Sequence, residues 1–578
     1  MNQAPSEPRP DFSVVVRRLL SVIQDASLST DLLTTALGDA GLQALNMGLP
    51  AGALQALDRS DVSAHDRQLV KLIVLREPAT LSTWEGVLNS QDDPKLVQDA
   101  LAVGVITPLG VAAFPSHRHP APTPEFPFQL ALDIRPYVFE HFCGTGSGDA
   151  ATDATAASGE FLLASDADEG LWVRKYSPSD LVPGVGNAAR SLIRVLPPKD
   201  NPWLPEPKKV LDLGCGGGVL SVAIAKAYPD AHVVGTDISE RALAFARANS
   251  RVADADSIEW RQGSWFEPVT GDDGSAEQFD LIVSNPPFVI QPPTVNHVYR
   301  DSGLALDGAT EKVISTVTEH LTPGGTAHIL SAWALQEDNG VASKINEWIP
   351  SDGARVNVQV RQVVDPATYV HTWLADESVD PRSPEGRNRA SEWLRYLSRK
   401  SVTHIALGFT HIQKIDGPSE VTVEELPAHM APGTPLGQDV AEWFARSQWL
   451  ADAESRGADI SDARFVVRSG TAIETVLLAD DKDGIGFVDH DTTLCRTDGP
   501  AWRHEIDSHV TAILSGLSAE GLPLEDVVEL YAAVNGVDSA ELLEQATAII
   551  VDLIRHGIVL PSDLGEYATD TSKDSPES

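Results

Sequence analysis

Cysteine is nearly absent from this chain: three occur in 578 residues, Cys143, Cys215 and Cys495. They stand far apart and match no metal-ligand spacing, which argues against a cysteine-built metal site. So sparse and odd a set also excludes a disulfide framework and fits a reducing, cytoplasmic setting. Positive charge is scarce too. Lys and Arg number 43 against 83 Asp and Glu, a net charge of −40. That balance opposes general electrostatic attraction to nucleic acid or to an anionic membrane, and leaves room only for a local basic patch. Long apolar runs are missing, since no stretch reaches the roughly 18 residues that a transmembrane helix needs. The polar, proline-rich start from Met1 to Pro10 does not make a signal peptide. There is no tandem repeat. His117 and His119 lie in a Pro-rich stretch and read as linker, so no metal is expected.

What is present is enough apolar residue, 42%, for real cores, in a chain too long for one. Residues 1–10 read as disordered and 11–128 as a mainly helical domain whose last part, 114–128, is a Pro- and His-rich linker. In that domain Lys95 to Val103 has helical apolar spacing, Gly104 caps it, and Val105-Ile-Thr-Pro108 reads as a short strand. Residues 129–180 form a connecting segment, with a strand from Leu130, a Gly/Ala/Ser-rich loop over 144–159 and strand-like stretches from Phe161 and Glu169. From 181 to 416 strand and helix alternate, the pattern of a parallel-rich α/β sheet. The strands expected there are Lys209–Leu213, His232–Thr236, Ile258–Gln262, Phe279–Ser284, Gly325–Leu330, Val356–Val363 and Thr403–Lys414. Residues 417–562 read as an α+β module. It closes on a helix ending at Gly557 and the strand Ile558-Val-Leu-Pro561, parts of a winged-helix unit. The acidic tail 563–578 reads as disordered.

Two motifs carry chemistry. The strand Val210-Leu-Asp-Leu213 runs into Gly214-Cys-Gly-Gly-Gly218 and then a helix over Val219–Tyr228. Glycines at 214, 216 and 218 permit backbone angles that a Cβ forbids and let a ligand approach the main chain. A glycine triad alone does not separate this loop from a nicotinamide site. Asp212, just before the first glycine, can pair with a ligand ammonium. Asp237 ends the next strand about twenty residues past the glycines, where a carboxylate can accept both hydroxyls of a ribose.

The second motif is Asn285-Pro-Pro-Phe288, directly after the strand Phe279–Ser284. A planar amide or aniline-like nitrogen is a poor nucleophile because its lone pair is delocalised. The Asn285 side-chain oxygen and the Pro286 carbonyl can accept its two N–H bonds, the prolines preset the geometry, and Phe288 offers a face for stacking. No strong general base is needed, since the alkylated nitrogen becomes acidic and loses its proton afterwards.

Together these motifs resemble the class I S-adenosylmethionine-dependent methyltransferases, in the small-domain branch that carries Asn-Pro-Pro-Phe/Tyr. The resemblance covers about residues 180–340 and fades toward 415. It implies a Rossmann-like α/β domain flanked by the helical and α+β domains, with S-adenosyl-L-methionine as cofactor. It also implies that Asp212, Gly214, Gly216 and Gly218 hold the methionine end, and Asp237 with Ile238 the ribose and one adenine face. Related enzymes commonly carry Asp where Ser264 stands, so adenine contact falls to Ser264, Trp265 and backbone. The branch divides into enzymes that methylate a nucleobase amine and enzymes that methylate a release-factor glutamine. Phe288 points to an RNA base amine as acceptor; a protein glutamine is the alternative, and a non-catalytic cofactor-binding scaffold the third. Tyr299 to Gly308 reads either as substrate mouth or as an ordinary polar loop. The basic stretch Arg382–Arg389 with Arg395, Arg399 and Lys400 reads as a solvated face or as a phosphate patch.

Overall fold

The structure is a computed structural model that describes residues 10–108, 127–138, 160–167, 180–292, 303–377, 379–431, 433–479 and 486–569. The chain divides into two compact units, the first comprising Met1–Cys143, Ala150–Ile193 and Pro207–Glu424, the second Gly144–Asp149, Arg194–Glu206 and Glu425–Ser578. The expected strand at Glu169, the Gly-rich loop and most of the 114–128 linker lie outside the described residues, but Phe128, assigned to that linker, opens the strand Phe128–Leu130.

Helices fill the first hundred residues. The first, Phe12–Asp25, starts where the Asp11 carboxylate accepts from Val14 N at 3.0 Å, a side-chain cap on an otherwise orphan donor. Its buried Val15, Val16, Leu19, Leu20 and Ile23 recur at helical spacing and form one apolar face. Five more α-helices follow, the last being Leu96–Val103, which ends on Gly104 in the left-handed region as expected. The strand Ile106–Pro108 then pairs antiparallel with Phe128–Leu130. Helix Phe12–Asp25 also packs on helix Glu240–Val252, where Phe12 and Phe245 meet edge to face at 5.0 Å.

The centre of this unit is an eight-stranded sheet. Its strands are β1 (Lys209–Leu213), β2 (His232–Asp237), β3 (Glu259–Gln262), β4 (Phe279–Ser284), β5 (Leu321–Leu335), β6 (Asp352–Val364), β7 (His404–Pro418) and β8 (Glu420–Glu425). Across the sheet the order is β3-β2-β1-β4-β5-β7-β6-β8. The first five run parallel, and β7 lies antiparallel to both β5 and β6. This is the α/β, Rossmann-like fold of the class I methyltransferases. After β3 the chain returns to the other side of β1, so the order reverses between β1 and β4. Open α/β sheets place ligands at the carboxyl ends of the strands at such a switch.

Three strands, β5, β6 and β7, extend several residues beyond expectation. The sequence places the start of β5 at Gly325, yet the strand already begins at Leu321 and takes in the turn-forming residues Thr322-Pro-Gly-Gly325. Gly324 takes a left-handed angle and the register against β4 shifts there, so the chain absorbs the turn residues as an irregularity within the strand. β7 is one continuous strand through Pro418, paired with a bulged β6.

In the second unit, helix Gly437–Ser455 buries Val440, Trp443 and Phe444. Helices Ser508–Gly516, Leu524–Asn535 and Ser539–Arg555 follow a three-stranded antiparallel sheet, and Val559–Pro561 pairs with Phe465–Val467. Gly557 is left-handed after the last of those helices. The tail expected to be unstructured from 563 is helical over Ser562–Thr569. Ser562 N bonds Arg464 O at 2.9 Å, and Gly565, lacking a side chain, sits close against Val466. Composition alone hides that docking.

One packing detail fixes the edge of the sheet. The Trp260 ring of β3 lies over Gly235 of β2 and Gly218, so closely that a Cβ at Gly235 would lie 2.4 Å from a ring carbon. Gly235→Ala should therefore cost about 1–3 kcal/mol through overpacking, read as a lower denaturation midpoint in urea; an unchanged midpoint would mean that the ring moves aside freely.

Candidate functional site

β1 and β4 are direct neighbours, with Leu213 opposite Ser284. The two motifs, some seventy residues apart in sequence, therefore leave the sheet side by side. The Ser284 hydroxyl donates to Leu213 O at 2.9 Å and ties the two strand ends together.

On the β1 side, Gly214, Gly216 and Gly218 have φ of 76°, 55° and 82°, the region that favours glycine. At Gly214 and Gly216 an added Cβ would meet nothing within 4 Å, so the loop faces open space there. At Gly218 it would lie 2.9 Å from Trp260 and 3.0 Å from Ala246, so the third glycine serves packing. Gly214 N and Cys215 N both donate to Thr236 O at 2.9 Å, which ties the loop to β2.

Asp212 is fully buried beneath this loop. Its Oδ2 accepts from Ser221 N at 3.0 Å and from the Ser221 hydroxyl at 2.5 Å. It thus supplies the side-chain cap that Gly218 cannot give to helix Val219–Ala227. Its Oδ1 is buried with no hydrogen-bond partner. Burial pushes the Asp212 carboxyl up to about 7, against the lowering effect of Ser221. Asp237 braces the loop from β2: its Oδ2 accepts from Gly216 N at 2.9 Å and its Oδ1 from Ser239 N at 2.8 Å. Burial raises its pKa as well, against the backbone bonds that lower it. With Gly216, Ser239 and Ile238 all donating to it, the carboxylate keeps one of roughly four acceptor sites for a ligand hydroxyl. Ile238 beside it is 56% exposed, an apolar side chain open to solvent at the mouth of the site. A cationic, ribose-bearing ligand fits this set: an open glycine cradle, an orphaned carboxylate oxygen and a second carboxylate two residues before a helix.

Ser264 and Trp265 follow β3. Ser264 N donates to Glu267 Oε2 at 3.3 Å, and its hydroxyl makes no hydrogen bond among the described residues. Trp265 has a φ of 52° and lies under the Lys312 ammonium at 5.7 Å, with its ring partly packed on the sheet core. The indole makes these protein contacts and keeps part of its surface exposed.

On the β4 side, Asn285 follows the last strand residue, Pro286 is buried, and Asn285 Oδ1 is buried with no partner. Leaving a buried acceptor unpaired costs about 1–3 kcal/mol. The loop beyond is clamped. Ile290 N donates to the Tyr369 hydroxyl and the Trp393 indole N–H donates to Ile290 O, both at 2.8 Å. Phe288 stands edge-on to Trp373 at 5.9 Å, and Tyr369 is edge-on to both Trp373 and Trp393. These aromatics come from helices Pro366–Asp376 and Pro384–Arg399. Sequence reading missed them. Their only signal is an aromatic at helical spacing, Tyr369 with Trp373 and Trp393 with Tyr396, which any core helix also shows.

Of the Tyr299–Gly308 stretch, residues 299–302 lie outside the described residues. Asp307 is structural: its Oδ2 accepts from Ala334 N and pairs with Lys344, both at 3.0 Å, in a buried ion pair. In the basic stretch Arg382 pairs with Asp380 at 3.0 Å and Arg389 pairs with Glu377. Arg387, Arg395, Arg399 and Lys400 are exposed and make no ion pair among the described residues. Among those residues no group of three or more His, Cys, Asp or Glu is gathered as a metal would need. No described helix is long and apolar enough to cross a membrane.

Residues 206–382 match a sequence family described as a methyltransferase domain. This part of the chain is a class I methyltransferase domain, of the kind that uses S-adenosyl-L-methionine. Residues 441–561, in the second unit, match a family described as a domain of unknown function. The chain is 40% identical over 85 residues to a release factor glutamine methyltransferase of Aliivibrio fischeri, covering 15% of this chain and 28% of that protein. It is 32% identical over 166 residues to that of Synechocystis sp., covering 26% and 52%. The chain thus spans about half or less of the length of these relatives. A solved RNA methyltransferase from Salinibacter ruber, in complex with S-adenosyl-L-homocysteine, is 23% identical, over 26% of this chain and 77% of that one, with a TM-score of 0.18.

Two outcomes check the geometry of the methyltransferase domain. Tyr369→Phe removes the acceptor of Ile290 N and should cost about 1–3 kcal/mol of stability; an unaltered unfolding curve would show that the loop is held otherwise. Asp212 sets a pH dependence. Its folded pKa is raised to about 7 from the ordinary 3.8, so its contribution is fully present below the unfolded value, declines as pH rises past it and is gone once pH passes about 7. Melting temperatures of the ligand-free protein should carry a falling component between about pH 4 and 7, which Asp212→Asn abolishes. Identical pH slopes for the two proteins would refute it.

Proposed function

We propose that the protein is an S-adenosylmethionine-dependent N-methyltransferase whose acceptor is a planar nitrogen of a macromolecule. The observation that carries this reading is the buried, unpartnered Asn285 Oδ1 at the end of β4, beside the glycine loop of β1. Buried polar atoms are nearly always paired, so one left open at a strand end in a ligand cleft is explained by a donor that arrives with the substrate. It also speaks against the scaffold alternative, which has no use for an orphaned acceptor.

When bound, S-adenosylmethionine supplies an electrophilic methyl group. Gly214 and Gly216 offer it backbone without side chains, the Asp212 and Asp237 carboxylates favour its positive charge and its hydroxyls, and Ile238 and Ser264 flank the adenine. Asn285 Oδ1 accepts one N–H of the acceptor and the Pro286 carbonyl the other. Drawing on both protons returns electron density to the nitrogen, and the rigid prolines fix its orientation in advance. Phe288, held edge-on by Trp373, stacks on the flat group. The extra proton leaves to water after transfer.

A glutamine side-chain amide is the first acceptor to test. Similarity to two release factor glutamine methyltransferases and the net charge of −40 both favour a protein over a polyanion. An RNA base amine, placed first on sequence alone, is the second reading. Its support is Phe288 at the last motif position, and the unpaired Arg387, Arg395 and Arg399, which lie along one exposed face of the helix that clamps the acceptor loop.

Asn285→Ala should lower kcat on the order of a hundredfold, the scale for losing one preorganised partner, and leave S-adenosylhomocysteine affinity unchanged. Full turnover in that variant would move the reaction elsewhere in the cleft. Mass spectrometry of release-factor peptides and RNA nucleosides from a strain lacking the protein decides between the acceptors: loss of methylglutamine supports the first, loss of a methylated base the second.

A further inference from the structure

Helix Glu240–Val252 stands between the proposed cofactor loop and the strand Phe161–Asp166 of the connecting segment, and one side chain on it touches both. Asn249 is 1% exposed. Its Oδ1 accepts from Ala164 N at 2.9 Å, and its Nδ2 donates to Ala164 O at 3.0 Å and to Gly217 O at 2.9 Å. Both amide protons and the oxygen are therefore used. Ala164 belongs to the strand Phe161–Asp166, which pairs antiparallel with Leu132–Tyr137. Gly217 sits inside the glycine loop, and its carbonyl belongs to the peptide that leads into left-handed Gly218.

A second clasp holds the same strand. Asp166, at its end, pairs with Arg241 one face of the helix away and accepts from Val182 N at 2.9 Å. The Arg241 guanidinium lies 4.9 Å from the Phe12 ring and 5.3 Å from the Phe245 ring, so the first N-terminal helix closes over it. The strand cannot shift without breaking bonds at both Asn249 and Arg241.

We infer that Asn249 is a positioning residue that ties the strand Phe161–Asp166 to the glycine loop, so that cofactor affinity depends on the segment preceding the methyltransferase domain. The argument is one of donor and acceptor count. Fixing a peptide plane in the loop takes a donor, and gripping both polar groups of Ala164 takes a donor and an acceptor. Only an amide supplies two donors and an acceptor from one short side chain. Leu, of similar size, supplies none; Asp would set oxygens against the carbonyls of Ala164 and Gly217. The strand, steadied by the first helix through Arg241 and Phe12, thereby acts on the glycine loop from outside it. A methyltransferase fragment starting near 180 would lack the strand, bare Phe245 and leave the Asn249 amide half unpaired.

The inference rests on the reading of the glycine loop as the cofactor site. Calorimetry with S-adenosylhomocysteine on the full chain tests both separately. Wild-type protein that fails to bind it overturns that reading. If wild type binds, Asn249→Ala should weaken binding about fivefold to tenfold, the scale of one or two lost hydrogen bonds, at a temperature well below its melting point. Equal affinities there overturn the inference alone, since a merely structural role would lower the melting temperature and leave affinity unchanged. Should Asn249→Ala not fold, hydrogen exchange on the wild type serves. S-Adenosylhomocysteine should slow exchange over 161–166 as well as over 214–218, and protection confined to 214–218 would overturn the coupling.

Discussion

The parallel pairing of β1 with β4 is the constraint on which the rest depends. Neither motif is a site by itself: one is a glycine turn and the other a proline-rich loop. They become one cleft because the chain, having built β1, β2 and β3 outward, doubles back and lays β4 against the bare edge of β1. The match of Leu213 with Ser284 then sets how far each loop projects. A register slip of two residues along a strand would part the loops by about 6.6 Å, more than a methyl transfer tolerates. The Ser284 bond to Leu213 O sits where such a slip would start.

A contrast among buried polar groups separates holding from doing. Asn249 has both protons and its oxygen engaged, Asp307 has a backbone donor and Lys344, and the Tyr369 hydroxyl and Trp393 indole each meet one end of Ile290. These groups specify geometry, and satisfied networks of this kind rigidify a fold. Asp212 Oδ1 and Asn285 Oδ1 break the pattern, and they lie at the ends of the two adjacent strands. Not every orphan marks a site, since His328 and His411, paired through Nδ1 at 2.9 Å across β5 and β7, also have unpartnered Nε2 atoms. What distinguishes the strand-end pair is the open backbone of Gly214 and Gly216 next to them.

Much of the frame was legible because it is written locally. β1 and β4 match expectation residue for residue and β2 to within one, since parallel strands covered on both faces read as short apolar runs with sharp ends; β3, an edge strand with no buried residue, also begins within one residue of expectation. The left-handed glycines at 104 and 557 were legible for the same reason. What escaped depends on distant partners. Thr322-Pro-Gly-Gly325 carries turn chemistry, and it stays inside β5 as an irregularity because pairing with β4 holds on either side of it. Tyr369 and Trp393 act on Ile290 from 79 and 103 residues away, and nothing in their own surroundings says so. Asp212 looked like a ligand partner and proves to be also a helix cap, because the residue it caps, Ser221, lies nine positions on. The grip of Asn249 on Ala164 spans 85 residues and left no trace in either segment.

The thiol in the glycine loop has a consequence of its own. Cys215 is buried, and burial, with the negative charges of Asp212 and Asp237 beside it, pushes its pKa well above the ordinary value. A thiolate is a far stronger nucleophile than an amide or an aromatic amine. In a loop proposed to hold an alkylating methyl donor, a thiolate would be the first group to be alkylated. Held neutral, it is withheld from that competition. On the proposed reading of this loop as the cofactor site, burial first, and the two carboxylates after it, keep the loop's own sulfur protonated and so leave the weaker nucleophile of the acceptor without a rival.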